Sequence, residues 1–143
     1  MARFSHTVEI SRPPEDVFPW LLEEDKVPRW TSHLDTYQAL DGSLGPGSRV
    51  RQVLEVSGRR IDVELEITRY DPPRGAETRF TERGIDVVNT YVLEAAGAGT
   101  RLTQSLEAKP RGLSARMLMP VVQPRLEEKL TQDLAWLRAE LSG

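Results

Sequence analysis

Strict alternation opens the chain. In RFSHTVEIS, Phe4, His6, Val8 and Ile10 share one side and Arg3, Ser5, Thr7 and Glu9 the other, the period of two that a half-buried strand shows. The period changes in SRPPEDVFPWLLEED, where Val17, Trp20 and Leu21 are spaced for one helical face. Ser11 or the prolines open this helix, acids occupy its first turn, and Pro19 is tolerable only because it lies within the first turns. A second short helix is expected around KVPRWTS.

Between about residues 35 and 109 the alternation returns in six segments: LDTYQAL, SRVRQVLEVS, RIDVELEITRY, AETRFTER, IDVVNTYVLEA and TRLTQSLEA. The connectors DGSLGPG, SG, DPPRG, RG and AGAG carry turn chemistry. VSGRRI and ERGID allow tight hairpins, hence antiparallel neighbours. A long helix follows from about residue 113 to 142, with Leu126, Leu130, Leu134, Leu137 and Leu141 in one stripe.

Two prolines interrupt the start of that helix. Pro120 and Pro124 lie in ARMLMPVVQPRLEEKL, where an interior proline removes a backbone donor at a cost of about 3 kcal/mol. Either the helix proper begins at one of them, or it is kinked there, its later half gripping the sheet and its earlier half capping whatever lies beneath. Projection back from the leucine stripe places Met119, Val122, Gln123 and Arg116 near the inner face, and no large exposed apolar stripe is evident.

One domain over residues 1–143 is expected, of class α+β: a curved, seven-stranded antiparallel sheet with two short helices, wrapped around the C-terminal helix. A sheet curved that strongly around one helix leaves a gap that side chains do not fill. The composition fits this, with 38% hydrophobic and 29% charged residues. Net charge is −3, and basic residues are interspersed with acids, which argues against nucleic acid as partner. The absence of cysteine rules out disulfides and thiol chemistry and fits a cytoplasmic location. No transmembrane segment is expected, since the longest apolar run is MLMPVV.

On the presumed inner face, polar residues stand among apolar ones. Gln52 follows Val50 and precedes Leu54; Asn89 and Tyr91 lie between Val87 and Leu93; Gln104 lies between Leu102 and Leu106; His6 belongs to the first strand, and Glu82 to the face of Phe80. Each buried polar group without a partner costs about 1–3 kcal/mol. Such a set either pairs internally or faces a hydrated cavity of the kind that takes ligands. Gln52, Phe80, Asn89, Tyr91, Gln104, Trp30, Met119 and Gln123 are therefore candidate ligand-binding residues. His6 and Tyr91 are the weak candidates for proton transfer, His6 being more readily read as a core histidine bonded to a backbone carbonyl or a tyrosine. The two histidines lie far apart, no metal-ligand spacing or nucleotide-binding loop is present, and no cofactor is expected.

SRPPEDVFPWL, VPRW, LGPGSRVR, ITRYDPPR and YVLEAAGAGTRLT, in that order, resemble the START-related helix-grip superfamily (SRPBCC), in its polyketide cyclase/dehydrase-like branch. The resemblance spans essentially the whole chain. It implies the fold above and a hydrophobic small molecule, such as a polyketide, lipid or isoprenoid, in a cavity between sheet and helix. Three functions follow as alternatives: ligand binding or carriage, a cyclase or dehydratase using the same cavity, or an accessory protein recognising a quinone or partner protein. A homodimer is compatible with all three.

Overall fold

The computed structural model describes residues 2–142. β1 (Ala2–Ile10) leads into α1 (Pro14–Val17), α2 (Pro19–Leu22) and a 3-10 turn at Val27–Arg29. Six strands follow, β2 (Leu34–Ala39), β3 (Arg49–Val56), β4 (Arg59–Asp71), β5 (Gly75–Glu82), β6 (Ile85–Ala96) and β7 (Gly99–Pro110), and then α3 (Gly112–Leu141). The seven strands form one antiparallel sheet, ordered β1-β7-β6-β5-β4-β3-β2.

Three of the hairpins turn on two residues only, Ser57–Gly58, Arg83–Gly84 and Gly97–Ala98. Ser57 and Gly58, and likewise Arg83 and Gly84, all have positive φ, the type I′ geometry whose twist matches that of paired strands. Register slips in two places, between Leu34 and Thr36 in the β2–β3 pair and between Ile67 and Arg69 in the β4–β5 pair. Such bulges bend a strand and increase its twist.

The first helix differs from expectation by breaking in two. Pro19 has no N–H to offer the carbonyl four residues back, so α1 stops at Val17 and α2 starts afresh at Pro19. The helix expected around KVPRWTS is only the 3-10 turn. By contrast α3 runs unbroken through both of its prolines, so the reading in which it begins at Pro120 or Pro124 is corrected. Arg116 and Pro120, whose carbonyls lose their helical donors, are exposed, and water can serve those oxygens instead. Gly112, at φ 83°, makes the step from β7 into the helix.

The core falls into two parts. The larger packs α1, α2 and α3 against β1 and β5–β7, with Leu102, Leu134 and Leu137 fully buried. The smaller unites Val27, Tyr37, Val50 and Leu65. Phe80 packs against both. The helix lies closest to β1 and β7, so the opposite wing of the sheet curves away from it.

The expectation that no apolar stripe is exposed also fails. Leu113, Met117 and Val121 are 75%, 72% and 55% exposed along the outer side of α3. Their spacing of four turns each about 40° from the last, so they form one row. Apolar residues occupy both sides of this half-helix, and hydrophobicity alone does not distinguish inside from outside.

Candidate ligand cavity

Between α3 and the curving wing of the sheet runs a channel in three sections. The innermost, about 150 Å³, is walled by Leu21, Leu22, Leu65, Val87, Leu106 and Leu130 and ends on Thr78, Asn89, Tyr91 and Gln104. A middle section of about 110 Å³ lies among Ile61, Val63, Ile85 and Val122. The mouth, about 470 Å³, opens between the β3–β4 hairpin and the first half of α3, and falls in the range of about 300–1,000 Å³ usual for small-molecule sites. Leu54 and Leu126 border all three sections, which therefore adjoin one another along α3.

The polar end wall comes from three adjacent strands. Thr78 sits opposite Asn89 in the β5–β6 register, and Tyr91 opposite Gln104 in the β6–β7 register. Gln104 Nε2 donates to Asn89 Oδ1 at 2.8 Å, and Asn89 Nδ2 donates to Thr78 Oγ1 at 3.4 Å. The chain of bonds ends unevenly, for Gln104 Oε1 is buried and has no partner among the described residues. Leaving an amide oxygen so costs about 1–3 kcal/mol. Part of the polar set thus pairs internally, and one acceptor of a cavity-lining residue is left over.

Burial pushes the Tyr91 phenol up to about 12, against a hydrogen bond with Asn89 that pulls it down, and the charge of Asp133 raises it further. At neutral pH Tyr91 is therefore a hydrogen-bond donor and not a base. Burial also raises Tyr37, with smaller contributions from Tyr91 and Glu24. Its hydroxyl donates to the carbonyl of Leu22 at 2.7 Å and so ties β2 to α2.

One wall of the inner chamber carries a charged latch. Lys129 Nζ donates to Asp133 Oδ2 at 2.8 Å, to Ser32 O at 2.6 Å and to Ser32 Oγ at 3.2 Å. Asp133 Oδ1 accepts from the Ser32 amide at 2.9 Å. Burial lowers the Lys129 ammonium while Asp133 raises it, and the net direction is down. All three ammonium donors have partners, so the latch fastens α3 to the loop before β2 and leaves no free amine. Neither residue was among the sequence candidates, although an aspartate beside Leu130, Leu134 and Leu137 was a visible signal.

The sequence candidates divide among several places. Gln52, Phe80, Asn89, Tyr91, Gln104 and Trp30 all line the inner chamber. Trp30 is 3% exposed and its Nε1 donates to the Trp20 carbonyl at 2.8 Å, so it seals the inner end. Met119 and Gln123 lie elsewhere, in a groove with Ala2, Lys109, Pro110 and Arg116, and Gln123 is exposed. Glu82 lines the middle section and His33 the mouth. His6 sits half-buried opposite Gln104 in the β1–β7 register but borders none of the three sections.

Comparison with solved structures places the fold. TTHA0849 from Thermus thermophilus is similar at a TM-score of 0.80 and 18% identity, over 98% of this chain and 97% of that one. CV1439 from Chromobacterium violaceum gives 0.80 and 17%, over 100% and 99%. Ms6760 from Mycobacterium smegmatis gives 0.72 and 20%, over 97% and 90%. At these identities the likeness is one of fold, the helix-grip arrangement of a curved antiparallel sheet about a long C-terminal helix. The family model described as polyketide cyclase / dehydrase and lipid transport matches residues 1–142, and the chain belongs to that family, within the SRPBCC superfamily.

Proposed function

We propose that the protein binds a hydrophobic small molecule, polyketide, lipid or isoprenoid in character, in the channel between sheet and helix. The observation that carries this reading is a row of adjoining, largely apolar cavities, the innermost lined by Gln104, whose Oε1 is buried and has no partner among the described residues. An apolar body recovers about 25 cal/mol for each Å² it removes from water. A hydroxyl at its leading end donates to the Gln104 oxygen and relieves the cost of leaving it unpaired. The ligand class that fits is thus mostly apolar with a single hydroxyl at one end.

Titration with anilinonaphthalene sulfonate, a fluorescent hydrophobic probe, tests the reading. One probe per chain is expected, and Val87→Trp, which fills the inner chamber, should weaken binding by about tenfold or more while the protein stays folded. No binding to the wild type, or equal binding by a folded Val87→Trp variant, would overturn it. Native mass spectrometry of freshly purified protein then identifies any ligand carried along.

A cyclase or dehydratase reading is favoured by one feature, the neutral Tyr91 donor beside Asn89 at the closed end. A donor so placed can hold a carbonyl or enol oxygen while the chamber walls fold the substrate, and positioning alone accelerates such steps strongly. Under this reading Tyr91→Phe keeps affinity for a polyketide and loses its turnover. Under the carrier reading no turnover exists to lose.

A further inference from the structure

The outer face of the first half of α3 lies outside the inner two sections, touching only the rim of the mouth through Val121 and Arg125. Leu113, Met117 and Val121 form its exposed row. Pro120 and Pro124, also exposed, fall beside that row at the helical angle of about 100° per residue. Arg116 borders it on one side and Arg125 on the other, both exposed. From Lys109 to Leu126 the chain has four cationic residues, Lys109, Arg111, Arg116 and Arg125, and no acid, although the whole protein carries −3. Arg111 is neutralised by Asp86; Arg116 and Arg125 form no ion pair among the described residues.

An apolar row edged by arginines is the pattern of a helix that lies in a membrane interface, where the long cationic side chains reach up to phosphates. We infer that this face docks on an anionic lipid bilayer. A second copy of the chain is a poorer occupant. Glu127 and Glu128, both exposed, follow this segment, but antiparallel pairing of the apolar row about Met117 would leave Arg116 and Arg125 far from the partner's two acids, whereas anionic headgroups supply the charge that both lack. The location adds a use: Leu118, Val121, Val122 and Arg125 border the channel mouth, so the docked face would bring that mouth to the lipid surface. The inference stands on the helix face and does not require the channel to hold a ligand.

Flotation of the purified full-length protein with vesicles tests it. Phosphatidylcholine vesicles containing phosphatidylglycerol should carry the protein upward at low salt, and pure phosphatidylcholine vesicles should not. Salt should release it, because it screens surface charges. Arg116→Gln and Arg125→Gln should each weaken binding about fivefold. Met117→Asp should abolish it while leaving the thermal unfolding temperature and probe titration unchanged. Absence of binding to the anionic vesicles at low salt, or undiminished binding by Met117→Asp, would overturn the inference. So would light scattering that shows a dimer which Met117→Asp dissociates, since the face would then be covered by a second copy.

Discussion

The two halves of α3 belong to one unbroken helix and are built on opposite terms. In the later half Leu130, Leu134, Leu137 and Leu141 are at most 3% exposed. Polar ties reinforce them: the Lys129–Asp133–Ser32 latch, an ion pair between Arg29 and Glu140, and Arg12 Nε donating to the Leu141 carbonyl at 2.8 Å. The earlier half buries only Ala115 and Met119, holds both prolines, and turns Leu113, Met117 and Val121 outward. Its main polar tie lies at the very start, where Arg111 reaches the Gly84 carbonyl and Asp86. The later half is thus packed and tied to the rest of the fold, and the half at the mouth has fewer buried side chains and fewer polar ties.

Core truncation should separate the halves by the widest margin. Leu137→Ala is expected to cost about 2–5 kcal/mol in thermal or denaturant unfolding, and Met117→Ala less than about 0.5 kcal/mol. Equal costs would mean that both halves are packed alike. Next comes the latch. Asp133→Asn removes the counter-charge of a largely buried Lys129 and should cost about 2 kcal/mol, below the range for a wholly buried pair because the lysine side chain is 22% exposed.

The prolines give a gain instead of a loss. Replacing Pro120 and Pro124 together by alanine restores two helical donors and should stabilise the protein by about 1–2 kcal/mol. The same variant should release the bound probe more slowly in stopped-flow exchange, and an unchanged release rate would argue against a gate at the mouth.

Why did some of this show in the sequence and some not? The strands were legible because an alternating pattern reports directly which side is buried. Asn89 and Gln104 stood out on that pattern as polar residues at inward positions, and they form the cavity's end wall. The first half of α3 was illegible for the opposite reason. With Leu113, Met117, Val121 and Val122 spread around it and few charges, nothing in its composition sets the helical phase. Gln123, placed near the inner face by projection, is exposed. The latch was missed because a lysine and aspartate four apart usually form a surface pair, and only the approach of Ser32 from the loop before β2 buries this one.

A subtler contrast should appear with pH. The Thr81 hydroxyl, and after it the Arg111 guanidinium, hold Asp86 below the usual carboxylate range. Hydrogen bonds from Arg49, Arg51 and Arg74 likewise lower Asp41, Asp62 and Asp71. As pH falls the unfolded chain takes up protons first, at about pH 4. The stabilisation is therefore complete above that value and is lost as pH falls through the lower folded values. Protonation of Asp86, as pH falls below about 4, also loosens the start of α3, so amide exchange there should rise in its first half before its second. Simultaneous loosening of both halves would blunt the contrast between them.

Hydrogen exchange along α3, with and without saturating anilinonaphthalene sulfonate, puts the division of labour to its sharpest test. Without probe, amides in residues 112–126 should exchange much faster than those in 127–141, whose opening requires loss of the core. With probe in the channel, the first half should gain protection and the second should change little. Equal protection in both halves of the free protein, or a first half indifferent to the probe, would show that anchor and gate are not separate.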